Sequence, residues 1–195
     1  MTRVPANRYA IFGLIAGGGF LFDLWTKNSV FDWLGYPDGV SKAYIESWLT
    51  FRFYTSFNHG ALWGFGQGFS WLFASLSIVA IIAVVYWLFV RGAAVSGWLT
   101  VSLALIMSGT LGNLWDRLGL HGCIDNNGGL LFAVRDFLLF SFGKFHWPVF
   151  NFADAFLVTG AIMLVLQSFG SEMQPETAVV TESAEETSPA GASTG

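Results

Sequence analysis

The chain predicts an all-α membrane protein: four transmembrane helices with a small extracytoplasmic β-sheet and loop subdomain. Three observations carry that prediction. Of its 195 residues 54% are hydrophobic and only 11% are charged, whereas a soluble domain carries about 25% charged residues. Four apolar runs are separated by polar loops, and a run of ~20 residues suffices to cross a ~30 Å hydrocarbon core as a helix. Between the first two runs, Leu49, Phe51, Phe53, Thr55 and Phe57 alternate with Thr50, Arg52, Tyr54 and Ser56, which is the period of a strand.

The first run, about residues 9–26, has only some four helical turns free of charge between Arg8 and Asp23 and contains four glycines. A cleavable signal peptide shares its basic start and apolar middle. No small-x-small cleavage site follows, however, and the segment Asp23 to Lys27 reads as a helix end, so a retained helix is expected. Its glycines would admit a neighbouring helix closely. The second run, residues 69–90, is uncharged and rich in Ile, Val, Leu and Trp. After a short connection through Gly92 the third, residues 95–115, completes a helical hairpin. The fourth, residues 149–169, is interrupted by Asn151 and Asp154 near its beginning.

Four spans place both termini on one side and the loops 28–68 and 117–146 on the other. Arg3, Arg8 and Arg91 fall on the terminal side, against Lys27, Lys42, Arg52, Arg117, Arg135 and Lys144 opposite. The raw count therefore contradicts the positive-inside rule. That rule weights short loops and the first helix, where Arg3 and Arg8 have no opposing acid, so cytoplasmic termini are expected. Trp25, Trp71, Trp87, Trp98, Trp115 and Trp147 fall near span ends, as interfacial tryptophans do. The sheet is expected to lie on the membrane surface, its apolar face toward lipid or substrate.

The four-span body, residues 1–170, is followed by residues 171–195, a Glu, Thr, Ser, Ala and Pro tail too polar to bury a core and expected to be disordered. The segment from Glu172 to Glu186 holds five acids and no bases. The net charge of -4 comes from there, because the remainder has nine basic against eight acidic residues. Nothing suggests a nucleic-acid partner. One cysteine, Cys123, and three scattered histidines offer neither an internal disulfide nor metal-ligand spacing, so neither metal nor cofactor is expected.

The chemistry lies in carboxylates where an apolar helix least tolerates them, because a charge at membrane depth requires a partner or a function. Asp136 follows the third span and Asp154 lies inside the fourth. Asn113, Asp116 and Arg117, at i, i+3 and i+4, share a helix face. Taken alone they read as a helix-end cluster in which Asp116 answers Arg117. Asn151 and Asp154 also share a face, so the amide can orient the carboxylate or simply make a helix contact. Asp23 and Lys27, four apart with the acid first, form a favourable helical pair.

Taken in order, Asp23-Leu-Trp-Thr-Lys27, Asn58-His-Gly-Ala-Leu-Trp-Gly-Phe65, Gly112-Asn113-x-x-Asp116-Arg117, Arg135-Asp136-Phe137 and Phe150-Asn151-Phe-Ala-Asp154 resemble the lipoprotein signal peptidases, or signal peptidase II. The resemblance spans all but the tail. It implies a bacterial inner-membrane aspartic endopeptidase, its site near the extracytoplasmic face, that removes signal peptides from diacylglyceryl-modified prolipoproteins just before the lipidated cysteine. The implied partners are those substrates and membrane lipid, with sensitivity to cyclic-peptide inhibitors such as globomycin. Residue by residue it assigns Asp154 as one catalytic aspartate. It assigns Asn151, Asn113, Arg117, Asn58, Asp23 and Lys27 as groups that support the site and position substrate.

For the second catalytic aspartate two positions compete. The family typically has Val-Val-Asp-Phe shortly after its Asp-Arg motif. Asp125 fits the spacing from Arg117 without a gap. Asp136 fits the local sequence and the distance to Asp154, but needs about eleven inserted residues around Asn126-Asn-Gly-Gly. Loops lengthen at little thermodynamic cost, which favours Asp136. Two neighbouring carboxylates would share a proton, one activating a water and the other hydrogen-bonding the developing oxyanion. The rival readings are a serine-lysine protease through Thr26, Lys27 and the loop serines, a transporter or channel using Asp23, Asp136 and Asp154 as a cation path, and a structural scaffold. None of these accounts for the Asn and Asp positions together.

Overall fold

The computed structural model describes residues 3–60 and 68–172. Residues 61–67, which include part of the Asn58 motif, lie outside the described residues, as do residues 173–195 of the tail expected from 171 onward; residues 171 and 172 instead end the fourth helix. Four long helices are apolar enough to cross a membrane. They are α1 (Ala6–Leu34), α2 (Ser70–Val85, prolonged by a π turn over Tyr86–Val90), α3 (Gly97–Arg117) and α4 (Phe152–Glu172). A four-stranded antiparallel sheet caps one end in the order β1 (Ile45–Glu46), β2 (Leu49–Asn58), β3 (Val134–Phe142), β4 (Phe145–His146).

Helix α3 is the axis of the bundle and packs on each of the other three helices. Its start is capped by Ser96, whose Oγ accepts from Leu99 N at 3.2 Å. Two glycines set how closely its neighbours approach. A Cβ on Gly109 would collide with the Ala153 carbonyl of α4, and one on Gly112 would collide with the Asp23 carboxylate of α1. Close backbone approach through small residues is the usual packing device inside membranes, where burial of apolar surface from water is not available as a driving force.

Helix α1 runs eight residues beyond the expected end at position 26, and Lys27 lies within it rather than at its terminus. Its 29 residues span about 43 Å, well over the ~30 Å hydrocarbon core. The extra turns form because Val30 and Phe31 are buried against Cys123, Phe137 and Leu138, with Leu34 and Phe57 packed alongside. Gly35, at φ 72°, then ends the helix, its N–H bonding Phe31 O at 3.0 Å. Thr55 ties that end to β2, donating to Gly35 O at 2.8 Å and accepting from Gly39 N at 2.9 Å.

The alternation over residues 49–57 does form a strand. Its apolar side, however, is not simply turned to lipid or substrate: Phe51, Phe53 and Phe57 are half-buried on the core shared by α1 and β3. The expected loop 117–146 contains β3, which pairs Asn58 with Val134, Ser56 with Asp136 and Phe53 with Leu138. The fourth helix starts at Phe152, so Asn151 stands just before it rather than inside it.

Candidate active site

Three elements converge where the sheet meets the bundle: the last turn of α3, strand β3 and the first turn of α4. Asn151 and Asp154 cap α4 reciprocally. Asp154 N donates to Asn151 Oδ1 at 2.9 Å, and Asn151 N donates to Asp154 Oδ2 at 3.2 Å. This is the capping-box geometry, in which the N-cap and N3 residues satisfy each other's backbone donors. The spacing of three thus arises from a helix start, and it leaves the Asn151 amide free to turn outward.

That amide reaches β3. Asn151 Nδ2 donates to Asp136 Oδ1 at 2.6 Å and lies 3.2 Å from Asn113 Oδ1. Asn113 in turn donates through Nδ2 to Asp154 Oδ1 at 2.8 Å. Asn58, paired in register two residues from Asp136, donates to Asp136 Oδ2 at 3.2 Å and accepts from Gly60 N at 3.0 Å. Both carboxylates therefore belong to one amide network. Asp136 is 2% exposed. Burial, reinforced by the nearby Asp154 charge, holds its carboxyl well above the usual carboxylate range.

Behind this network lies a fully buried charge cluster. Lys27 Nζ is 2.7 Å from Asp23 Oδ2, 3.1 Å from Asp116 Oδ2 and 3.2 Å from Asn113 Oδ1. Asp23 Oδ1 also accepts from Ala153 N at 2.8 Å, fixing the first turn of α4 against α1. Asp116 does not pair with Arg117. It pairs with Arg135, whose Nη2 lies 3.0 Å from Asp116 Oδ1 and whose Nη1 donates to Asn28 Oδ1 at 2.6 Å. Two acids and two bases balance, which is the condition for burying charge at tolerable cost. Sequence reasoning missed Arg135, Asp116 and Asn28 as members of the site. The signal was present in the Arg135-Asp136 dipeptide, since strand alternation sends those two side chains to opposite faces.

Arg117 instead lies over the Phe73 ring at 5.4 Å and donates to Gly60 O at 3.2 Å and Asn113 O at 3.5 Å. It lines an open cleft of about 310 Å³ between α2, α3 and α4, together with Phe73, Leu76, Asn113, Asp154 and Leu157. The cleft is polar at the carboxylate end and apolar along the helices. Asp125, the other position weighed above, lies in an exposed turn, where its Oδ1 accepts from Asn127 N and Gly129 N, both at 2.8 Å. Among the described residues no group of three or more His, Cys, Asp and Glu side chains is arranged to hold a metal ion.

Residues 15–170 match the family described as Signal peptidase (SPase) II. The chain belongs to the signal peptidase II family. A lipoprotein signal peptidase of Rhodopirellula baltica is 45% identical over 175 residues, covering 88% of this chain and 77% of that one. One of Pseudomonas fluorescens is 36% identical over 156 residues, covering 72% and 85%. A bacterial membrane enzyme solved in meso at 2.3 Å superposes with a TM-score of 0.70 at 25% identity, covering 87% of this chain and 94% of that one. This signal peptidase II family member is thus a multi-pass membrane peptidase, four spanning helices capped by a small sheet.

Proposed function

We propose that the protein is an aspartic endopeptidase that cleaves signal peptides from diacylglyceryl-modified prolipoproteins just before the lipidated cysteine, with Asp136 and Asp154 as its catalytic pair. The observation that carries this reading is the Asn151 bridge, which holds one carboxylate by its side chain and the other by its backbone. Asp136 is buried and keeps the proton. Asp154, at the positive end of α4 and facing the cleft, serves as the base.

In this reading the substrate segment unwinds into the cleft between α2, α3 and α4, where protein groups satisfy its backbone. Asp154 removes a proton from water as its oxygen adds to the scissile carbonyl, and Asp136 gives its proton to the carbonyl oxygen. The resulting gem-diol collapses as Asp154 returns a proton to the leaving nitrogen. The C–N bond breaks, and Asp136 recovers its proton from the diol hydroxyl. Asn113 and Asn151 hold the two carboxyl groups in place. Lys27, with Asp23 behind it, holds Asn113, Asn58 holds Asp136, and Arg117 is the cation at the cleft. The reading further places the protein in the bacterial inner membrane, with cytoplasmic termini, the site near the extracytoplasmic face, and globomycin-type cyclic peptides as inhibitors.

The test is cleavage of a diacylglyceryl-modified prolipoprotein by purified protein in detergent. Asp154→Asn and Asp136→Asn are each expected to lower the rate by at least about 10³-fold, and Asp125→Asn to leave it unchanged. Full activity in Asp154→Asn would overturn the mechanism, and loss in Asp125→Asn with activity in Asp136→Asn would overturn the choice of partner.

A further inference from the structure

At the end of the bundle opposite the carboxylates, the N-terminal segment and the turn after α2 enclose an open cleft of about 650 Å³, lined by Arg3, Val4, Tyr9, Phe89, Val90 and Arg91. The chain builds it deliberately. The π turn lets Arg91 N reach back five residues to Tyr86 O at 3.0 Å, and π turns inside helices often mark functional sites. Gly92, at φ 78°, then reverses the chain toward α3, leaving Arg91 exposed at the rim.

The walls are aromatic and the rim is cationic. Tyr9 stacks on Phe89 at 4.5 Å between ring centroids, and Phe12 meets Phe89 edge-on at 5.2 Å. Neither Arg3 nor Arg91 forms an ion pair among the described residues. A third arginine, Arg8, lies close by with its guanidinium against Gly97 at the start of α3, and its Nε is buried without a hydrogen-bond partner. The outer surface beside the cleft is lipid-facing, with Tyr9, Tyr86, Trp87 and Val90 about half exposed on spanning helices.

Unpaired guanidiniums at a span end, above an aromatic wall that continues into lipid, fit a ligand with a phosphate head and apolar tails. Guanidinium forks bind phosphate oxygens in pairs, and basic pockets between membrane helices take anionic headgroups. We propose that this cleft binds the headgroup of an anionic phospholipid, its phosphodiester held between Arg3 and Arg91 and its acyl chains lying along the apolar flank of α2. A lipid is favoured over a free phosphate because the cleft borders the lipid-facing aromatic surface.

The test is binding of dioleoylphosphatidylglycerol to the full chain in neutral detergent, read by native mass spectrometry and by Tm. Dioleoylphosphatidylcholine and inorganic phosphate serve as comparison probes, and wild type is set beside the Arg3→Gln/Arg91→Gln double variant. Phosphatidylglycerol is expected to bind and raise Tm, while the other two do not at the same concentration. The double variant is expected to bind about twenty-fivefold more weakly, each arginine contributing roughly fivefold at an anionic surface. Both positions are exposed, so prolipoprotein cleavage by the double variant in phosphatidylcholine micelles is expected to match wild type and certify its fold. Equal binding of the two lipids, or undiminished binding by the double variant, would overturn the proposal. Phosphate binding as tightly as lipid would assign the cleft to a soluble anion. Tighter lipid binding after removal of residues 173–195 would assign it to the acidic tail, overturning it likewise.

Discussion

Arg135 donates to Asp116 through three nitrogens, its backbone N–H at 3.0 Å, Nε at 3.1 Å and Nη2 at 3.0 Å. The strand that carries Asp136 is thereby fastened to the last turn of α3 one residue before the carboxylate. Arg135 stands where the family resemblance leads one to expect valine. Arg135→Val would keep the backbone bond and the Lys27–Asp116 pair but leave Asp116 short of one buried cation. Truncating one partner of a buried pair costs about 3–5 kcal/mol, so a marked fall in Tm is expected. Since the guanidinium faces away from the cleft, kcat should fall with KM nearly unchanged, and Arg135→Lys should recover part of both. Wild-type stability and kcat in Arg135→Val would refute the fastening role.

Asn151 does two things that different substitutions separate. Asn151→Ser keeps a capping oxygen for Asp154 N but loses the buried amide donor that holds Asp136, so it should cost about 1–3 kcal/mol of stability through the unpaired acceptor alone. Its rate should fall by about a hundredfold, the scale of effect expected from a 1 Å misplacement of a reacting group. Asn151→Ala should show the same loss of rate plus about 1 kcal/mol of further destabilisation from the missing cap. Chemical denaturation alongside steady-state cleavage checks both numbers.

The raised proton affinity of Asp136 fixes the sign of a pH effect. Burial and the Asp154 charge hold its folded pKa above that of an unfolded carboxyl, which lies near about 3.9. Between those two values the folded state binds the extra proton, so this group's contribution to stability is complete at low pH and is lost as pH rises through the folded pKa. Asp136→Asn should therefore be more stable than wild type on the alkaline side, by thermal melts across pH. In cleavage assays the alkaline limb should report loss of the Asp136 proton. Asn58 donates to Asp136 Oδ2 and so favours its charged form, and Asn58→Leu should move that limb to higher pH. A limb that stays put would argue against Asp136 as the acid.

Gly109 allows the Ala153 carbonyl of α4 to lie directly on α3. A methyl group there must push the first turn of α4 aside, and overpacking of this kind costs about 1–3 kcal/mol. Gly109→Ala is therefore expected to reduce cleavage and stability together, although it touches neither carboxylate. Gly13→Ala on α1, where a Cβ meets nothing within 4 Å, is the matched control and should be silent in both assays.

The number of spans, their order and the strand over residues 49–57 were legible in the sequence, because hydropathy and alternation are local signals that the membrane and the sheet read directly. The Asn-x-x-Asp spacing near residue 151 was legible too, yet its geometric meaning was not: a helix face and a capping box share that spacing, and only the observed start at Phe152 separates them. The continuation of α1 to Leu34 depended on a core that exists only once β2 and β3 have paired.

What the sequence by itself determined is the inventory: four apolar helices, and a set of buried-type Asp, Asn, Lys and Arg residues whose cost inside a membrane demands partners. What only the tertiary structure decided is who partners whom. Asp116 passes over its neighbour Arg117 for Arg135, nineteen positions along the chain, and Asp136 reaches Asn151 while Asp125 closes an exposed turn. The physical reason is that burial and pairing energies depend on separation in space, and a strand crossing the end of a helix bundle sets those separations where no local pattern records them.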